Sequence, residues 1–391
     1  MNLDQWLESA RDYWAEPFQG DPGDDPRYWC AVADLDRVKA LVQSIEPFGE
    51  SGWGPIHYLC FSKCEKKDPA DALKYLLELG ADPNAFYIHP NGLDEPLSVL
   101  YGASGVLHDP EMTKILLDAG ANPDDGESIY HSCEAVSEDC MRVLLEGGAK
   151  NEKTNGIKHG ADFPNPKLIH LMVEHGADPN ENVGGEPIIH HVIRHYRDWD
   201  YLEPLFRAGV DTSVRSQEGY SVGRHLVRRG AMETLTNVED QLDMSDVTEH
   251  DRQIGRAMAG EKVSPVTWSF LDQTLVPALA QEGRIDRLKS VFASGCPVNA
   301  KGGWGETALH WASWGAQVEC VQFLIESGAD LNVQERNFKA TPIQWACHNG
   351  LTVARDRTRN VQVIRLLREA GAEMPSEWAK GNSQIDAAMT D

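Results

Sequence analysis

Apolar residues recur along the chain at helical spacing, and the stretches that carry them end on glycine. Leu76-Leu77, Leu116-Leu117, Leu144-Leu145, Met172-Val173, Leu205-Phe206 and Leu324-Ile325 each stand four and three residues before a Gly. A small residue follows, then most often Asp or Asn: Gly80-Ala81-Asp82, Gly120-Ala121-Asn122, Gly148-Ala149-Lys150, Gly176-Ala177-Asp178, Gly209-Val210-Asp211, Gly295-Cys296-Pro297, Gly328-Ala329-Asp330 and Gly371-Ala372-Glu373. This pattern predicts an amphipathic helix closed by a left-handed glycine cap, repeated along the chain. The spacings between these glycines are 40, 28, 28, 33, 86, 33 and 43 residues, and the gap of 86 has room for one irregular unit.

Three segments depart from the pattern. Met1 to Phe18, with Leu3, Trp6, Leu7, Tyr13 and Trp14, reads as a capping helix. Arg27 to Val42 reads as a degenerate first unit through Trp29, Val32, Leu35, Val38 and Leu41. Thr236 to Phe270 fits no unit; Leu242, Met244, Val247, Ile254 and Met258 stand among many charges, which predicts an insertion with one or two helices.

The best-preserved unit opens with Gly305-Glu306-Thr307-Ala308-Leu309-His310-Trp311-Ala312-Ser313 and closes with Gly328-Ala329-Asp330-Leu331-Asn332. Thr341-Pro342-Ile343-Gln344-Trp345-Ala346 and Gly54-Pro55-Ile56-His57-Tyr58-Leu59 repeat its opening. These residues resemble the ankyrin repeat, from about Asp25 to Ala379. The resemblance implies an all-α ankyrin-repeat solenoid of about nine helix-turn-helix units with short β-hairpin fingers. A Thr cap and a Pro in the first turn start the first helix. Stacking then buries faces that no unit can bury alone. The expected layout is residues 1–24 as capping helix and linker, 25–235 as a degenerate N-terminal block, 236–270 as an irregular insertion or linker, 271–379 as a C-terminal block and 380–391 as a tail. Fingers should be short in the middle of the array and full length near the C-terminus.

Composition narrows the partners. The 36 Lys and Arg against 61 Asp and Glu give a formal net charge of −25. That argues against sequence-independent nucleic-acid binding and against docking on an anionic membrane surface, and it permits basic partners. No apolar run is long enough to span a bilayer and the N-terminus is acidic, so a cytoplasmic monomer is expected, although the same fold would also serve a secreted effector.

The eight cysteines lose their apparent chemistry in this frame. Cys30, Cys60, Cys133 and Cys347 fall at a small buried position of the first helix, Cys140 and Cys320 at an apolar position of the second, and Cys296 in the Ala slot after Gly295. Only Cys64 lies in an insertion, and His57, Cys60 and Cys64 lack a fourth zinc ligand at ordinary spacing. No metal or cofactor is expected.

Candidate function lies on the first helices, where the family binds partners. The position after the motif His reads Tyr28, Tyr58, Val99, His131, His159, His190 or His191, His225, Ala278, Trp311 and Trp345. Trp314 and His348 follow three residues on, on the same face, and Trp304 and Phe338 lie in the adjoining fingers. The leading expectation is a non-enzymatic scaffold that holds a protein or peptide in a groove anchored by Trp304, Trp311, Trp314, Phe338, Trp345 and His348. Leu309, Ala312, Ile343 and Ala346 occupy the buried positions, which leaves Trp311 and Trp345 toward the groove. The alternative is an enzyme or small-molecule binder that uses Tyr58, His131, His159, His191 and His225, with 236–270 folded over them as a lid. His191 and His195 are spaced i, i+4, but the intervening residues do not make a zinc-protease motif. Nor does a nucleophile elbow, phosphate loop or dinucleotide fingerprint occur. His57 and His310 hold the motif position and read as structural. Asp109, Asp124, Asp125, Glu134 and Glu138 read as solvated charges.

Overall fold

The computed structural model describes all residues except 13, 49–51, 89–95, 136, 152–153, 164, 196–197, 353–356, 376–381 and 391, and the side chains of 183 and 352 are also outside the description. Tyr13, expected on the capping helix, therefore lies outside the described residues. The chain is predominantly helical, and its helices come in consecutive pairs. Examples are Pro55–Phe61 with Pro69–Glu78, Ser128–Ser132 with Asp139–Glu146, Ile188–Arg194 with Trp199–Arg207, and Ala308–Trp314 with Val318–Glu326. No described helix is long and apolar enough to cross a membrane.

The terminal pattern of each pair has a local cause. All eight cap glycines adopt positive φ, from 83° at Gly209 and Gly328 to 103° at Gly295. Gly80 N–H donates to Leu77 O and Ala81 N–H to Leu76 O, the two bonds of a Schellman cap. The second bond recurs from Ala121 to Leu116, Ala149 to Leu144, Ala177 to Met172, Ala329 to Leu324 and Ala372 to Leu367. The apolar residue four before each Gly is thus the one whose carbonyl accepts the cap's second bond. The polar residues that follow tie successive pairs together. Asp82 accepts from Asn84 N–H at 2.8 Å, and Asn84 Oδ1 accepts from Asn122 N–H at 2.7 Å. The same rung runs from Lys150 to Asp124, Asp211 to Asn180, Asp330 to Asn299 and Glu373 to Asn332.

The chain forms two compact units, Met1–Asp178 and Pro179–Asp391. The boundary falls inside 25–235 rather than in 236–270. In the first unit the Leu3–Asp12 helix buries Trp6, Leu7 and Ala10, and Trp6 Nε1 donates to Glu16 O at 2.7 Å. Further on, the first helix of one pair begins as Val99–Tyr101 and continues as a π-helical turn, Gly102–Val106. Small residues are required there: a Cβ on Gly102 would lie 2.8 Å from Cys60 O, and one on Gly105 2.7 Å from His131 Cβ.

In the second unit, 236–270 is integrated into the packing. Its helix Glu249–Met258 packs on Val222–Arg229 and on Ile285–Ala293, burying Ile254, Ala257 and Met258. Gly255 permits this approach, since a Cβ there would collide with Val227 O. Residues expected as a tail form a helix, Ser383–Thr390, whose Ile385, Ala388 and Met389 are buried against Pro342–Thr352 and Thr358–Glu369. Those three apolar residues at helical spacing carry its docking. The fingers contain the strand pairs Phe86–Ile88 with Pro96–Ser98 and Asn182–Val183 with Glu186–Pro187, plus a bridge between Lys301 and Thr307. All eight cysteines are buried thiols outside any disulfide, Cys64 included. Burial pushes the Cys30, Cys60, Cys320 and Cys347 thiols up to about 12, which suits small core side chains and not nucleophiles.

Candidate functional site

The motif histidines set the register of the first helices. His57 Nε2 donates to Phe86 O at 3.1 Å, His190 Nε2 to Val214 O at 3.2 Å and His310 Nε2 to Ala340 O at 3.2 Å. In each case the acceptor is a carbonyl of the following finger. The other nitrogen of His57 accepts from Gly54 N–H and that of His310 from Thr307 N–H, so both rings are neutral and structural. Burial holds His310 down to about 4. This contact decides between His190 and His191: His190 is the motif residue and His191 the position after it. At Val99 the expectation is corrected. Ser98 is the helix cap, accepting from Tyr101 N–H at 2.9 Å, so Val99 is a buried first-turn residue and Tyr101 faces its neighbours instead.

In the first unit the row is aromatic and then acidic-basic. Tyr58 is buried beside Trp53, with ring centroids 5.3 Å apart, so it lines the core more than a surface. Tyr101 packs on His131 at 5.0 Å, and Tyr130 lies parallel to His159 at 3.9 Å and 1°. Glu134 sits between the two histidines: His131 Nδ1 is 2.8 Å and His159 Nε2 3.3 Å from the same oxygen, Oε1. The far nitrogens face Glu127 Oε2 at 3.1 Å and Asp162 Oδ2 at 3.4 Å. Burial by itself would raise the Glu134 carboxyl, yet its hydrogen bonds with His131 and His159 hold it at about 2. Burial likewise works against the charged His159 ring, but Asp162 and Glu134 raise it above its ordinary value. Glu134 is therefore not a solvated charge. Its signal in the sequence was its position three residues after His131, one helical turn on.

In the second unit His191 is buried, with Nδ1 3.4 Å from Glu186 Oε2, and Arg194 pairs with both Glu186 and Glu218. His225 is 3% exposed and lines no surface. Its Nδ1 lies 3.0 Å from His190 Nδ1. Because His190 donates through Nε2, its Nδ1 must accept, which makes His225 the Nδ1–H donor. Burial, then Arg229, His190, Arg194 and Arg228, hold His225 well below its ordinary range.

The C-terminal first helices carry a cluster of rings. Trp345 receives Trp311 at 5.2 Å and 87°, Trp314 at 6.0 Å and 76°, and His310 at 5.2 Å; His348 stacks on Trp314 at 5.9 Å and 24°. Trp311 and Trp314 are half-buried, but Trp345 is only 9% exposed because the other three rings cover it. Its expected place toward the groove is corrected to the floor of the cluster. Trp304 is 50% and Phe338 77% exposed on adjoining fingers, which Arg336 N–H joins by donating to Trp304 O at 2.7 Å. Glu306 accepts from Trp304 N–H at 2.8 Å and from the Trp311 indole. Burial and the nearby Glu335 raise its carboxyl. Glu127 with His131, Glu186 with His191 and Glu306 with Trp311 are one device: a carboxylate before the first helix holds the side chain that follows its first turn.

The segment proposed as a lid is anchored in the core. Two capping boxes, Thr248 with Asp251 and Ser269 with Asp272, start its helices. Both Asp carboxylates converge on Arg228, at 2.7 Å and 2.5 Å, and Arg224 adds a contact to Asp251 at 3.0 Å.

Paired helices with capping glycines, side-chain rungs between pairs and a motif His bonding the next finger define a helical-repeat protein. Within that class, residues 278–377 match the family model for ankyrin repeats, three copies. The chain therefore carries ankyrin repeats. It is 25% identical over 181 residues to the NF-kappa-B inhibitor cactus of Drosophila melanogaster, covering 43% of this chain and 34% of that protein. To YahD of Escherichia coli (strain K12) it is 40% identical over 70 residues, 18% of this chain and 34% of that protein. To palmitoyltransferase Hip14 of Drosophila melanogaster it is 27% identical over 137 residues, 35% of this chain and 20% of that protein. The chain thus spans at most about a third of each of these relatives.

Proposed function

We propose that this ankyrin-repeat chain is an interaction scaffold, a monomer of the cytoplasm, that lays a protein or peptide segment bearing basic residues across the Trp304, Trp311, Trp314, Phe338 and His348 surface, with Trp345 as its floor. The observation that carries the reading is the solvent exposure of Trp304 and Phe338 directly beside a half-buried Trp pair. Large aromatics left exposed on neighbouring loops are enriched at binding hot spots. Their faces attract Lys and Arg by about 0.5–2 kcal/mol each. The net charge of −25 adds long-range attraction for a basic segment.

The test is selection from a displayed random-peptide library on the full chain, with Trp304→Ser/Phe338→Ser as the counter-protein. The expected result is enrichment of Lys- and Arg-bearing peptides by the parent chain, lost in the double variant while its melting temperature is retained. Peptides that bind both proteins equally, or acidic peptides, would overturn the reading.

A further inference from the structure

The helix Gly156–Gly160 is five residues long, bounded by glycines, and buries one apolar side chain, Ile157. Such a short element gains little from packing and nothing from helix propensity. Its contact with Ser128–Ser132 is completed by side chains: the parallel stack of His159 on Tyr130, and the chain Glu127, His131, Glu134, His159, Asp162. In that chain each imidazole has a carboxylate oxygen within 3.4 Å of both ring nitrogens. A neutral imidazole has one N–H and one lone pair, so a neutral ring would point a lone pair at a carboxylate. Only the doubly protonated ring satisfies both sides.

We propose that this carboxylate–imidazole chain is a proton-operated latch that holds the Gly156–Gly160 helix on the Ser128–Ser132 helix when protonated and releases it when the His159 proton leaves. The groups facing it are Lys63 from the turn after Pro55–Phe61, Tyr101 from the preceding unit, and Asp125, Tyr130 and Cys133 around Ser128–Ser132. Lys63 partly neutralises Glu134. The acid side is bounded by Glu134 and the alkaline side by His159. Stabilisation from Glu134 is complete above its ordinary 4.5 and fades as pH falls toward about 2; that from His159 is complete below its ordinary 6.5 and fades as pH rises through its raised value. The latch is thus closed between these limits. Its exposure, 16% at the His159 side chain and 37% at Asp162, leaves it open to solvent protons.

Amide hydrogen exchange of residues 156–160 in the full chain, expressed as protection over the intrinsic rate at each pH, tests this. Protection should fall between pH 6 and the alkaline side of the His159 titration. In Glu134→Gln the protection at pH 6 should already be low and should no longer vary with pH. A parent profile that is flat with pH, or a Glu134→Gln profile like the parent's, overturns the latch. If Glu134→Gln does not fold, NMR titration of His159 in the parent chain decides: a midpoint above 6.5 supports the latch and one at or below it refutes it.

Discussion

His159 in the first unit and His225 in the second stand at corresponding places of their repeats and end in opposite chemical states. His159 lies between Glu134 and Asp162 and is raised; His225 lies against His190 with Arg229 and Arg194 nearby and is pushed well down. The first contact stabilises a charge, whereas the second joins two neutral rings, and burial beside Arg229 disfavours a charge on His225. One residue type at one repeat position therefore serves as a solvent-linked ionic tie in one unit and as a neutral core bond in the other. The difference comes from burial and from the neighbouring charges, guanidiniums around His225 and carboxylates around His159.

The largest effect should come from removing a guanidinium of the second unit. Arg228→Met leaves the buried Asp272 without its guanidinium and Asp251 with Arg224 alone, and denaturant unfolding should show a loss of about 3–5 kcal/mol. Asp251→Asn introduced alongside should recover part of it, which a double-mutant cycle measures. Trp345→Ala should cost about 3–5 kcal/mol, read as a lower melting temperature, since it removes the covered floor beneath Trp311 and Trp314. An unchanged melting temperature would instead place Trp345 at the surface. The pH dependence sharpens the contrast directly. As pH falls below 6.5 the unfolded chain protonates His225 while the folded chain does not, so stability falls with acid, and His225→Asn should flatten that limb. His159 works in the other direction, losing stability as pH rises. Asn84→Ala, which removes one rung between adjacent caps, should cost about 0.5–1.5 kcal/mol by the same unfolding measurement.

Much of the repeat architecture was readable from local chemistry. Gly80, Gly120 and their counterparts need positive φ, and the small residue after each must accept the cap's hydrophobic contact, so the triplet and the Leu four residues before it travel together. Cysteines at small core positions were legible for the same reason. The 236–270 segment was harder to read, because its Thr248 and Ser269 capping boxes announce helices without announcing that Arg228, some twenty to forty residues away, receives both Asp carboxylates. The Val99 reading missed because Pro96 and Leu97, which look like a helix opening, lie in a strand and the helix cap is Ser98.

The candidate surface divides the same way. Trp304 and Phe338 could be named from their place in the fingers, since a finger tip has few neighbours to bury against. Trp345 could not, because its cover is supplied by Trp311 and Trp314 on another helix. The sequence by itself determined where the glycine-capped helices stop, which glycines cap them and which small residues lie inside, because each of those depends on contacts within a few residues. Tertiary structure alone decided which histidine carries a proton, which tryptophan is a floor and which acid is an anchor. Those properties are set by desolvation and by charges that only folding brings within a few ångströms.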